Sequence, residues 1–141
     1  METKVFNLVG PKGETVRLIA PVDTKFPSIH IEDYGPYCGA GKGIGNTVVP
    51  ESIWGLRISV ACFIHDTMWD KAERTWADFH QSNSVFLKNI LTIIIVCSRN
   101  GFMKRLRLYP AVTYYNAVDS LGQVFWRDVG GEPSDVTDVA I

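Results

Sequence analysis

A mainly α fold with an N-terminal β-hairpin is predicted by three features of the chain. Apolar residues recur at helical spacing through much of the second half, two short β-rich runs flank G-P-K-G-E near the start, and a glycine-rich stretch lies between. At 141 residues one domain is expected, large enough for a real core. It is read as residues 1–130, with 1–28 forming the hairpin and a connector, and 131–141 as a loose polar tail. The net charge of −1 argues against a general nucleic-acid binder, which shows a basic excess. Ile90 to Cys97, the longest apolar run, is far short of a membrane span, and M-E-T-K-V-F-N holds no apolar core of a secretory signal. Cys38, Cys62 and Cys97 are too few for a disulfide scaffold, so the plain reading is three reduced thiols, with Cys97 a buried hydrophobe.

In chain order, K-V-F-N-L-V (4–9) and T-V-R-L-I-A-P (15–21) read as the hairpin, packed on a helical body. Residues 21–27 connect it to S-I-H-I-E-D, where His30 alternates with Ile29 and Ile31 as an exposed strand residue. The loop with Gly35, Gly39, Gly41, Gly43 and Gly45 fails the Walker pattern, because Lys42 is followed by Gly43, and fails the dinucleotide fingerprint at Ile44. By itself it reads as a solvated turn. Pro50 and Glu51 suit a helix start, and apolar spacing then runs to about residue 72; Gly55 weakens the first turns, leaving a later start near Leu56 open. D-K-A-E-R-T (70–75) is a charged joint before a second helix, Trp76 to Cys97. On that helix Asn83, Phe86, Leu87, Ile90, Leu91 and Ile94 share one face. Asn100-Gly101 reads as its stop, and a third helix from about Pro110 closes the core. Lys104, Arg105 and Arg107 are either dipole compensation or an attraction to anionic lipid.

The chemistry concentrates in D-Y-G-P-Y-C-G-A-G-K-G (33–43) and A-C-F-I-H-D-T-M-W (61–69). Glycines let a loop turn its carbonyls inward, which suits a hard cation seeking oxygen ligands. Asp66 offers a carboxylate, and His65 a general base on water; about 100° apart on a helix, they can share a cleft yet work separately. These residues resemble the calcium loop and catalytic helix of secreted phospholipases A2. The resemblance is dense from Tyr34 to Gly43 and from Ala61 to Trp69, and it is nearer in style to the compact forms in parvovirus capsid and phage-associated proteins.

The resemblance implies a Ca²⁺ cofactor held by the backbone carbonyls of Tyr37, Gly39 and Gly41 with the Asp66 carboxylate. It implies the Gly39 N–H as oxyanion donor, and a Cys38–Cys62 bridge as the alternative to free thiols. It also implies a phospholipid membrane surface as transient partner. The family's histidine is oriented from the facing helix, where S-N-S-V-F-L-K-N-I places Asn83 in the usual aspartate's position. Asp78, roughly 140° round, reads as a first-turn capping carboxylate. An asparagine carbonyl can fix the imidazole tautomer, but it stabilises an imidazolium less well, by ~1–3 kcal/mol in the barrier. Trp69 replaces the family's tyrosine; Tyr109, Tyr114 or Tyr115 stands in for it or packs in the core. His80 reads as exposed, and no spacing supports zinc. Ile44, Val48, Val49, Ile53 and Trp54 meet the lipid interface or belong to the core.

The expectation is calcium-dependent hydrolysis of the sn-2 ester of glycerophospholipids; its location is left open, and export would need a carrier, whether a virion, a secretion machine, lysis or a longer parent polypeptide. The rival is a phage- or prophage-type structural component that keeps the fold without turnover, favoured by Asn83 and Trp69. A His-Asp metal phosphohydrolase needs more ligands at helical spacing than the chain offers.

Overall fold

The computed structural model describes residues 1–35, 38, 50–73 and 75–128, with the backbone alone for 121, 122 and 124–128. The two β-rich runs build the hairpin: strands β1 (Thr3–Val9) and β2 (Thr15–Pro21) pair antiparallel, with Val9 opposite Thr15 and Thr3 opposite Pro21. Val16, Leu18 and Ala20 of β2 point inward and are fully buried, whereas Thr15 and Arg17 face solvent. The outward backbone groups of Ile19 meet a side chain instead of another strand. Asn89 accepts the Ile19 N–H at 2.8 Å and donates to its carbonyl at 2.9 Å. That two-point grip satisfies backbone groups that an edge strand leaves open.

A 3-10 turn at Ile31–Asp33 leads to Tyr34. The Tyr34 ring packs on Phe63 at 5.5 Å, and its hydroxyl donates to the Ser28 carbonyl. At Gly35 φ is +140°, and a Cβ would stand 2.7 Å from Arg57 Nη1, so no side chain fits while Arg57 donates to the Tyr34 carbonyl.

The segment expected to open the first helix instead forms a second small hairpin, β3 (Ser52–Ile53) with β4 (Leu56–Arg57). Its two turn residues, Trp54 and Gly55, have φ of 47° and 78°, the left-handed pair that closes a tight hairpin and that a right-handed helix excludes. The first helix, α1, therefore runs Ser59–Lys71, starting beyond even the later of the two expected starts.

The second helix, α2, spans Trp76–Cys97, the expected bounds. Thr75 caps it by accepting the Asp78 N–H at 3.1 Å, and the Asp78 carboxylate reaches back to the Glu73 N–H at 2.7 Å, so Asp78 is a capping group as expected. Asn83, Phe86, Ile90 and Ile94 are buried along one face, with Leu87 and Leu91 half-buried at its margin.

The third helix, α3, runs Gly101–Asp128, starting well before Pro110, which it contains. Asn100 is its N-cap, not the stop of α2: the Asn100 side-chain oxygen accepts the Met103 N–H at 2.9 Å. Pro110 lacks an N–H for the Leu106 carbonyl, so one intrahelical hydrogen bond is absent at that turn. Arg107 spends its guanidinium on structure, donating to the Ile53 and Trp54 carbonyls and to Ser98 Oγ, which ties α3 to the β3–β4 hairpin and the end of α2.

The result is a mainly α chain in which α2 is central, packed on α1, α3 and β2. The main core joins the hairpin's inner face to all three helices, and a smaller cluster of Trp76 and Phe79 with Trp69 sits where α1 ends and α2 begins. Among the described residues, no helix is long and apolar enough to cross a membrane. Residues 131–141, expected as a loose tail, lie outside the described residues.

Candidate functional site

The site grows from three helices that each supply one polar side chain to an apolar seam. His65 lies midway along α1, and its Nε2 stands 2.8 Å from Asn83 Oδ1 on α2. Asn83 is fully buried, and its Nδ2 donates to Asp119 Oδ1 on α3 at 3.1 Å. A carboxylate only accepts, so it holds the amide nitrogen toward itself and the amide oxygen toward His65. That oxygen in turn requires the proton on Nε2, leaving the Nδ1 lone pair as the basic atom.

Around the imidazole stand Phe86, ring centroids 5.0 Å apart, and Trp69 at 5.9 Å. Burial lowers the histidine's pKa from 6.5 to about 4, although the hydrogen bond to Asn83 pulls the other way. The residue as a whole retains some solvent contact, so the enclosure belongs to its ring and not to every edge. At neutral pH the ring is uncharged.

Asp119 is the member that the sequence did not single out. It falls on the inward stripe of α3, beside buried Val118 and one turn after Tyr115; a carboxylate on that stripe signals a polar partner without saying which one. His80, expected to be exposed, is half-buried, with Nδ1 3.7 Å from Asp119 Oδ1. Of the tyrosines considered as substitutes for the family's own, Tyr109 is 80 % exposed and points away, Tyr114 packs against the core, and Tyr115 is half-buried. The Tyr115 phenol pKa is raised, by burial first and then by the Asp119 charge.

Cys38 and Cys62 form the disulfide that the resemblance implies, in place of the plain reading of three thiols. Cys62 lies three residues before His65 and four before Asp66, one turn up the same face of α1. Cys97 is a free, buried thiol whose pKa is pushed up to about 11, by burial first and then by Glu14 and Glu32, which makes it a poor nucleophile. His30 is exposed as expected, but it sits in an isolated bridge to Val9 and not in a strand, and Ile29 beside it is 58 % exposed.

No family model matches the chain, and no curated protein or solved structure matches it.

Of the expected calcium ligands, Asp66 is described, as a half-buried residue of α1, whereas Tyr37, Gly39 and Gly41 lie outside the described residues. Among the described residues no three His, Cys, Asp or Glu side chains gather as a metal site. A donor set of one carboxylate plus backbone carbonyls has oxygen chemistry suited to calcium and would not form such a cluster. Of the five apolar residues placed either at a cleft mouth or in the core, Ile53 is core and Trp54 is 61 % exposed. Ile44, Val48 and Val49 lie outside the described residues.

Proposed function

We propose that this chain is a phospholipase A2-type hydrolase that cleaves the sn-2 ester of glycerophospholipids at a membrane surface. The observation that carries the reading is the His65–Asn83 hydrogen bond, which leaves Nδ1 as the base, on a helix whose preceding turn is linked to Cys38. His65 Nδ1 accepts a proton from water as the water oxygen attacks the ester carbonyl, and returns it to the sn-2 glycerol oxygen as the acyl C–O bond breaks, releasing the fatty acid and the lysophospholipid. Asn83 holds the ring and accepts from Nε2–H while the imidazolium lasts. The Gly39 N–H is assigned to the developing oxyanion, and Asp66 with the Tyr37, Gly39 and Gly41 carbonyls to the cation. Calcium, when bound, supplies the Lewis acidity that polarises the ester carbonyl.

The test is release of fatty acid from mixed phospholipid vesicles, with calcium or with chelator, for wild type and His65→Gln. Calcium-dependent release that is lost in His65→Gln supports the reading; release that ignores chelator overturns its metal part. The absence of release in every condition favours the second reading, a non-catalytic structural component of phage or prophage type. Two observations favour that alternative: Trp69 and Asn83 depart from the catalytic pattern, and a histidine held at about 4 is a weak base at neutral pH.

A further inference from the structure

We propose that Asp119 is a positioning residue for His65, acting through the buried Asn83 amide to fix which imidazole nitrogen carries the proton. The role of that tautomer in catalysis rests on the hydrolase reading; the positioning itself does not.

An asparagine side chain is ambiguous where a carboxylate is not. Rotated by half a turn about its last bond, it presents an N–H₂ to His65 and selects the opposite tautomer, with the proton on Nδ1 and no base there. Nothing in the His65–Asn83 pair alone prevents this rotation. Asp119 does, because its oxygen lies 3.1 Å from Asn83 Nδ2 and would face the amide oxygen, acceptor against acceptor, after the flip. Asn83 is fully buried, so no bulk water relieves that mismatch. Asp119 also sets its negative charge one amide away from the imidazole, behind a neutral residue in the position where a charged orienter is expected. His80 Nδ1, 3.7 Å from the same carboxylate oxygen, and Tyr115, one turn earlier on α3, are the other titratable groups at this carboxylate.

The arrangement changes what substitution of Asn83 reports. Asn83→Asp alone would set two carboxylates about as close as the present 3.1 Å contact, and one would take up a proton. The informative variant exchanges the pair, Asn83→Asp with Asp119→Asn, keeping one negative charge and moving it next to His65.

The measurement is nitrogen-15 NMR of the His65 imidazole at neutral pH, which reads the tautomer directly and needs no turnover. Wild type is expected to carry the proton on Nε2 alone. In Asp119→Asn either amide orientation finds a partner, so a mixture of the two tautomers is expected, with an unchanged far-UV spectrum. The exchanged double variant, whose carboxylate at position 83 only accepts, is expected to return to Nε2–H. Wild-type-like tautomer in Asp119→Asn, or a persistent mixture in the double variant, overturns the proposal. In the vesicle assay Asp119→Asn is expected to lose about tenfold in kcat with KM little changed, the scale of one weakened charge-assisted contact. If the tautomer shifts while wild type releases no fatty acid, the hydrolase reading fails and the positioning role stands.

Discussion

A neutral histidine is what the surroundings of His65 favour, and this has a consequence for stability. In the unfolded chain the imidazole titrates near 6.5, whereas burial holds it at about 4 in the folded state. Between those values the unfolded chain binds more protons, so stability rises with pH across that window and is lost as pH falls from about 6.5 toward 4. The loss has an upper limit of about 3 kcal/mol, less whatever solvent reaches the ring. Urea unfolding in chelator at pH 4.5 and 7 should show a smaller pH effect in His65→Gln than in wild type, and an imidazole that titrates near 6.5 by NMR would contradict the enclosure. The His65–Asn83 contact was expected from the family resemblance, and helical phase agreed with it, because Asn83 shares its face with Phe86 and Ile90. Asp119 was not. Its role depends on how α3 lies against α2, which no periodicity within either helix specifies.

At the scale of elements, the two misread boundaries have one cause: residues that serve opposite ends of different structures. Asparagine followed by glycine suits the end of a helix, where a left-handed residue is needed, yet asparagine is equally suited to the start, where its side chain accepts an exposed N–H. Here Asn100 does the second, and α3 begins there. Asn100→Ala should cost about 1 kcal/mol in a denaturant melt; no measurable change would mean that the first turn of α3 is held by packing alone. The Trp54–Gly55 turn was hidden for a related reason, since I-W-G-L-R-I has apolar spacing compatible with a helix and a bulky tryptophan is an uncommon choice at positive φ. The long helix α2 was legible throughout, because a threonine cap, an acidic third position and an unbroken apolar face all agree.

At the scale of the whole molecule, the Cys38–Cys62 bridge joins positions 24 apart in sequence and ends on the turn of α1 that precedes His65. Closing a loop of that length in the unfolded chain is worth about 3 kcal/mol in the chain-entropy picture. Reduction, or Cys38→Ser with Cys62→Ser, should therefore lower the melting temperature by roughly 5–10 °C for a domain of this size; identical melts with and without reductant would show that the bridge contributes nothing to folding. The Asn89 grip acts over a similar range without a covalent bond. Asn83 and Asn89 are on one helix, about 9 Å apart along its axis, so whatever fixes one against sliding fixes the other. The hairpin holds no reactive group, yet by clasping Asn89 it is the datum from which the histidine's partner is measured. A slip of β2 by one residue would turn Val16, Leu18 and Ala20 out of the core and take Ile19 from Asn89, so the same clasp also guards the strand's register.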